Sequence, residues 1–157
     1  MPVNTSKVQG RRQVQYDSYE DLLADAEQLA NSNVKTLGNW SFGQILLHVA
    51  QSTDSSLDGS GFALPAPVRW IFTLLMKQKF LTKPIPAGFK APKRFQPQEL
   101  SVEESIVELR KAIARQYTEE QRAMHPAFGM ISKEEWTQFN LRHAEMHMSF
   151  VVLDDHS

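Results

Sequence analysis

Residues 136–152 read WTQFNLRHAEMHMSFVV. On a helix, at about 100° per residue, Trp136, Phe139, His143, His147, Phe150 and Val151 fall on one stripe, while Arg142 and Glu145 point away from it. Two imidazoles one turn apart then sit on a face that should be buried, where a polar ring is costly unless it finds a partner. The H-x-x-x-H spacing stacks residues i and i+4 and aims two ring nitrogens at one point. A divalent metal would satisfy both rings at once. The alternative is that each histidine is hydrogen-bonded separately in the core. The motif is not the zincin H-E-x-x-H, because Glu145 follows His143 by two residues and is expected to face solvent, out of reach as a general base.

Other helices can be placed around this one. Ser18 with Asp21 resembles a capping box and starts a helix running to about Ala30 through Leu22, Leu23, Ala26 and Leu29. Ser41 with Gln44 starts a second helix to about Leu57, whose stripe is Phe42, Ile45, Leu46, Val49, Thr53 and Leu57. Ser101 with Glu104 starts a third to about Gln121, with Val102, Ile106, Leu109, Ile113 and Tyr117 on its apolar face. Ser132 with Glu135 opens the last helix, after a loop His125-Pro126-Ala127-Phe128-Gly129. With no convincing strand pattern, this is an all-α four-helix bundle, residues 17–153, preceded by a polar and partly disordered arm at 1–16.

The connection from 59 to 98 is long and broken by glycine and proline, with room for one short extra helix near Val68–Phe80. It is a crossover that lets the second and third helices run parallel, and it puts the fourth beside the second. His48 then becomes the third imidazole, although a lone histidine at the edge of a stripe is ordinarily just solvated. The crossover holds seven basic residues and no acidic one. Lys77, Lys79, Lys83, Lys90, Lys93 and Arg94 either form a solvated face packed near acidic helices or rim a pocket for an anionic small molecule. Its interleaved aromatics sit at core-like spacing among Leu, Ile and Val, which argues against nucleic acid as the partner.

The 157-residue chain has a formal net charge of −1 and no cysteine. That balance gives no general attraction to nucleic acid or anionic membrane. Without thiolates, a metal site must use nitrogen and oxygen, which for imidazole favours zinc or nickel, with iron also compatible. The first residues lack an apolar signal region and no run is long enough to span a bilayer, so a cytoplasmic protein is expected.

Trp40, Ser41 and His48, a variable crossover, HPxFG at 125–129 and Arg-His-x-x-x-His at 142–147 together resemble the DinB/YfiT-like family of metalloenzymes, in a branch known only as a domain of unknown function. The likeness spans roughly Trp40 to Phe150. It implies a four-helix bundle with a metal on His48, His143 and His147, a homodimer, and transferase or isomerase chemistry that uses a low-molecular-weight thiol such as bacillithiol, mycothiol or glutathione. In that branch the last helix usually has two adjacent histidines followed by Leu-Arg-Gln. Here Met146 precedes His147 and Met148-Ser149-Phe150 follows, which leaves the triad intact but removes outer polar partners.

The functional expectation is a metal-dependent enzyme, of thiol-transferase or hydrolase type, acting on a small molecule. His125 is a weak candidate acid or base, since a histidine before proline is more often a cap. Trp40 and Trp136 are expected as core or pocket wall. The alternative is a non-catalytic binding or scaffold protein whose basic crossover, residues 69–94, takes an acidic partner.

Overall fold

The computed structural model describes residues 1–155. Its elements are α1 (Tyr19–Ala30), β1 (Val34–Thr36), α2 (Phe42–Asp58), α3 (Ala66–Thr82), α4 (Val102–Thr118), α5 (Lys133–Met148) and β2 (Val151–Leu153). Short 3-10 turns occupy Thr5–Lys7 and Lys93–Phe95. The chain is therefore mostly helical, with one small two-stranded sheet. Among the described residues no helix is long and apolar enough to cross a membrane.

Four helices begin where their serines place them. Ser18, Ser41, Ser101 and Ser132 each accept a hydrogen bond from the backbone N–H three residues on, and Asp21, Gln44, Glu104 and Glu135 reach back to the capping residue. Each reciprocal pair satisfies two backbone donors that the first helical turn leaves open. α3 starts differently, with Pro67 in its first turn, where a missing N–H costs nothing. It is longer than the short helix expected from sequence and stops just before Lys83-Pro84, the residue before proline being unsuited to helix.

The main core lies between α1, α2, α4 and α5, around Leu22, Leu46, Val49, Leu109, Ala144 and Met148. α2 and α4 run in the same direction. Gly43, at the start of α2, lies against Leu100 and Ser101 at the start of α4. At the other ends, Gln116 Nε2 donates to the Thr53 carbonyl at 3.1 Å and Ser56 Oγ donates to Gln116 Oε1 at 3.1 Å. Beside them Arg115 bridges Asp54 and Asp58 at 2.8 and 2.7 Å. The parallel arrangement uses the long connection between residues 59 and 101.

Four sequence expectations need correction. The stripe drawn through Phe150 and Val151 is not all helical: α5 ends at Met148, and Val151–Leu153 pairs antiparallel with Val34–Thr36. Val-Val is better suited to a strand, and the partner edge is available. The 1–16 arm is held down rather than loose. Arg12 N donates to the Ser149 carbonyl at 2.9 Å, its guanidinium reaches the Val151 carbonyl at 2.6 Å and pairs with Asp25 at 2.8 Å, and Tyr16 OH bonds to Asp25. That segment covers the side of α5 expected to be wet. Glu145 is consequently only 7% exposed, accepting from Tyr16 N at 2.8 Å and pairing with Arg142 at 2.6 Å. Finally, Tyr117 is 55% exposed and donates to Glu20 at 2.6 Å instead of entering the core.

The close approach of α2 and α4 depends on residue 43 having no side chain. A Cβ there would lie 2.1 Å from the Leu100 carbonyl oxygen, a backbone atom that no rotamer change can move. Gly43→Ala is expected to gain about 1 kcal/mol of helix propensity and to lose more than that to overpacking, which commonly costs 1–3 kcal/mol or more. Net destabilisation of about 2 kcal/mol in urea denaturation is the expected outcome, and an unchanged midpoint would refute the packing account.

Candidate metal centre

α5 presents two different faces. Asn140, Leu141, Ala144 and Met148 pack into the core, whereas Phe139, His143, Met146 and His147 line a cavity. The imidazoles therefore stand in a cavity wall instead of a close-packed interior. His48 meets them from α2. Its ring lies 4.5 Å from that of His147 and 5.3 Å from that of His143, centroid to centroid, and one ring nitrogen from each of the three histidines lies within 4.8 Å of the others. The helical spacing and the crossover together bring the three predicted ligands to one place.

The ring orientations are fixed by neighbours. His48 Nδ1 is 2.7 Å from the Phe95 carbonyl, and since a carbonyl only accepts, Nδ1 carries the proton and Nε2 offers its lone pair. His143 Nε2 and His147 Nε2 are 3.1 Å apart. Two neutral imidazoles that close either share one proton or aim both lone pairs at a cation. Two nitrogens bound tetrahedrally to zinc at about 2.0–2.1 Å would be roughly 3.3 Å apart, so the pair already has a suitable bite. Trp40 stacks on His147 at 5.5 Å and 18° and tilts against His48 at 4.8 Å. Phe139 lies parallel to His143 at 6.0 Å and 8°.

Burial keeps the triad neutral, the form that binds a metal. It pushes His48 below the ordinary histidine value, against the opposing hydrogen bond that His48 donates to the Phe95 carbonyl. Burial, with His48 and His125 nearby, lowers His143 to about 3, and burial with His143 and His48 holds His147 well below its usual range. Three neutral nitrogens without a carboxylate leave coordination positions free on a bound ion. Among the described residues no Asp or Glu lines the cavity.

The family model described as protein of unknown function (DUF1569) matches residues 8–154. The chain belongs to this family. No curated protein and no solved structure matches it. Within this DUF1569 chain the matched span contains all three clustered histidines and the whole N-terminal segment from Val8 that covers α5.

Of the other sequence candidates, His125 lines the same cavity as the triad, whereas most of the basic ones lie outside it. His125 is 3% exposed, and its Nδ1 accepts from the backbone N–H of Ala127 and Phe128 at 3.1 and 3.2 Å, tying the 125–129 turn that an antiparallel bridge to Gly129 closes. Its ring stacks on Phe128 at 4.5 Å, and burial lowers it to about 3. Lys77 pairs with Glu135 at 2.6 Å. Lys79, Lys83, Lys93 and Arg94 are exposed, and of the six proposed rim cations only Lys90 lines the cavity. Sequence reasoning missed the Phe95 carbonyl, a backbone atom without a side-chain signature. It also missed the cavity-lining role of Ser52, one turn beyond His48, for which that same i+4 spacing was the available signal.

His125 and His143 stay near 3 in the folded chain against about 6.5 unfolded. Between those values the unfolded chain binds more protons, so stability of metal-free protein is fully present above about pH 6.5 and is lost as pH falls. The slope has an upper limit of about 1.4 kcal/mol per pH unit for each such histidine. Denaturation midpoints at pH 7, 6 and 5 should fall in that order. His125→Gln should flatten the decline.

Proposed function

We propose that the protein binds one divalent transition metal, zinc or nickel before iron, through Nε2 of His48, His143 and His147, and acts as a metal-dependent enzyme on a small molecule. The observation that carries this reading is the 3.1 Å approach of the two α5 nitrogens beside Nε2 of a histidine from another helix, which has Ser52 Oγ at 3.5 Å. Hydrogen-bonded core histidines do not need such convergence. The likeness to DinB/YfiT-like proteins supports the same triad and a four-helix bundle built from α1, α2, α4 and α5, with α3 in the crossover. Parallel α2 and α4, with α5 beside α2 and α1 beside α4 and α5, agree with that arrangement.

A bound metal with free positions supplies Lewis acidity, lowering the pKa of a water or a thiol placed on it. The chain's own groups do the positioning. The Phe95 carbonyl fixes the tautomer of His48, as outer hydrogen-bond partners of metal-binding histidines generally do. Trp40 and Phe139 hold the rings of His147 and His143, and the aromatic walls limit access of bulk water. With no acidic side chain in the cavity, the nucleophile is assigned to water or to an added low-molecular-weight thiol, giving hydrolase or thiol-transferase chemistry.

Elemental analysis and zinc titration of the full chain test the centre. One metal per chain is expected. His147→Ala and His48→Ala should each weaken binding by more than the roughly 10–100-fold typical of outer-sphere partners. Unchanged stoichiometry and affinity in both variants would end the proposal. Loaded protein screened with glutathione, bacillithiol and mycothiol is expected to consume thiol if it is a transferase, whereas metal-dependent ester cleavage without thiol consumption would assign it as a hydrolase.

A further inference from the structure

The triad occupies part of a cavity of about 1120 Å³, slightly above the roughly 300–1,000 Å³ usual for small-molecule pockets. Its composition is more informative than its size. α3 contributes Phe72, Met76 and Phe80, one turn apart along a single face, and these pack against the Phe128, Trp136 and Phe139 group, so the two sets form one continuous apolar wall. Among the described residues no acidic side chain lines it, and Lys90 is the one charged side chain in the lining. Of its four hydroxyls two are engaged with backbone: Ser55 Oγ donates to the Ser52 carbonyl at 2.6 Å and Ser60 Oγ to the Phe62 carbonyl at 2.8 Å, while Ser52 Oγ lies 3.5 Å from His48 Nε2.

Walls of this kind discriminate strongly. A cationic ligand would lose its hydration without meeting a carboxylate, and a sugar-like ligand would bury hydroxyls without partners, each a substantial cost. A hydrocarbon or aromatic body pays neither penalty and gains from every ångström of apolar surface it covers. The positive charge nearby falls at Lys90 and at Arg94, whose guanidinium lies over the Phe62 and Phe95 rings at 5.2 and 5.4 Å. The roof is made of non-helical chain, residues 2–5 and 85–92, with Val3 and Asn39 joined by two hydrogen bonds.

Resting on the metal-centre reading only for which end of the ligand faces inward, we infer that the cavity takes a carbon-rich small molecule, neutral or anionic, with a long aliphatic or multi-ring body. A single electron-pair donor at one end points to the three imidazoles. The body lies along the apolar wall that α3 and residues 125–139 form together. Polyols and amines are disfavoured along this apolar body, whereas an added thiol would act at the imidazole end.

The probe is 11-(dansylamino)undecanoic acid, with dansylglycine as its short polar counterpart, titrated into full-length protein by fluorescence. Chelator-treated protein is expected to bind the long probe at least about tenfold more tightly than the short one, because only the long chain covers apolar wall. Ser55→Phe, which puts a ring into the cavity from α2, should weaken the long probe at least about tenfold. Ala91→Phe, from the roof, is the second obstruction and makes the test independent of whether the first variant folds. Leu75→Glu, on the 73%-exposed outer side of α3, should change nothing. Absence of long-chain binding by folded protein overturns the inference. So does binding that survives both obstructions, or that Leu75→Glu abolishes, because the probe then sits on the outside. Zinc is added last: tighter binding supports both readings, whereas unchanged binding counts against the metal centre and leaves the ligand class standing.

Discussion

The hydrogen bond from His48 Nδ1 to the Phe95 carbonyl joins a side chain of α2 to the 3-10 turn that closes the crossover. One consequence is chemical: the lone pair of Nε2 is directed toward the two imidazoles of α5. The other is architectural, since the crossover must be in place before the cluster of three imidazoles is complete. His143 and His147 come from a single helix and keep their spacing wherever that helix goes. His48 depends on the parallel packing of α2 with α4, on the Gly43 contact that permits it, and on a loop carbonyl more than forty residues along the chain.

The helix starts were legible because a capping box is local. A serine and an acidic or amide residue three positions later satisfy each other's backbone whatever the rest of the chain does. The i, i+4 pair on α5 was legible for the same reason. Pairing of Val34–Thr36 with Val151–Leu153 was not, because three-residue strands carry almost no periodicity and become strands only when a partner edge is nearby. Glu145 shows the limit of a helical wheel. The wheel correctly put it away from the histidines, but its burial is decided by Tyr16 and Arg142, and so by a segment that composition alone marked as loose.

Aromatic spacing raised a related ambiguity. Phe72, Met76 and Phe80 have the periodicity of a packed face, and they do form one against Phe128 and Trp136, yet all three also line the cavity. Periodicity reports which side of a helix is apolar and is silent on whether protein or ligand covers it. On its other side α3 leaves Trp70, Leu74 and Leu75 largely exposed, so the helix is apolar on both faces and only Leu81 is fully buried. The basic residues of the crossover divide likewise, with Lys77 held by Glu135 and Lys90 at the cavity.

Parallel neighbours also bear on how the chain reaches this state. Gly43 and Leu100 touch although nearly sixty residues separate them, so docking α2 on α4 closes a long loop before its contacts can repay the lost chain entropy. Assembly by such distant contacts is slower than in a bundle of successive hairpins. During synthesis the apolar stripe of α2 must wait, uncovered, until α4 has left the ribosome. The interval in which chaperones or aggregation compete for this chain is thereby set by the length of its crossover.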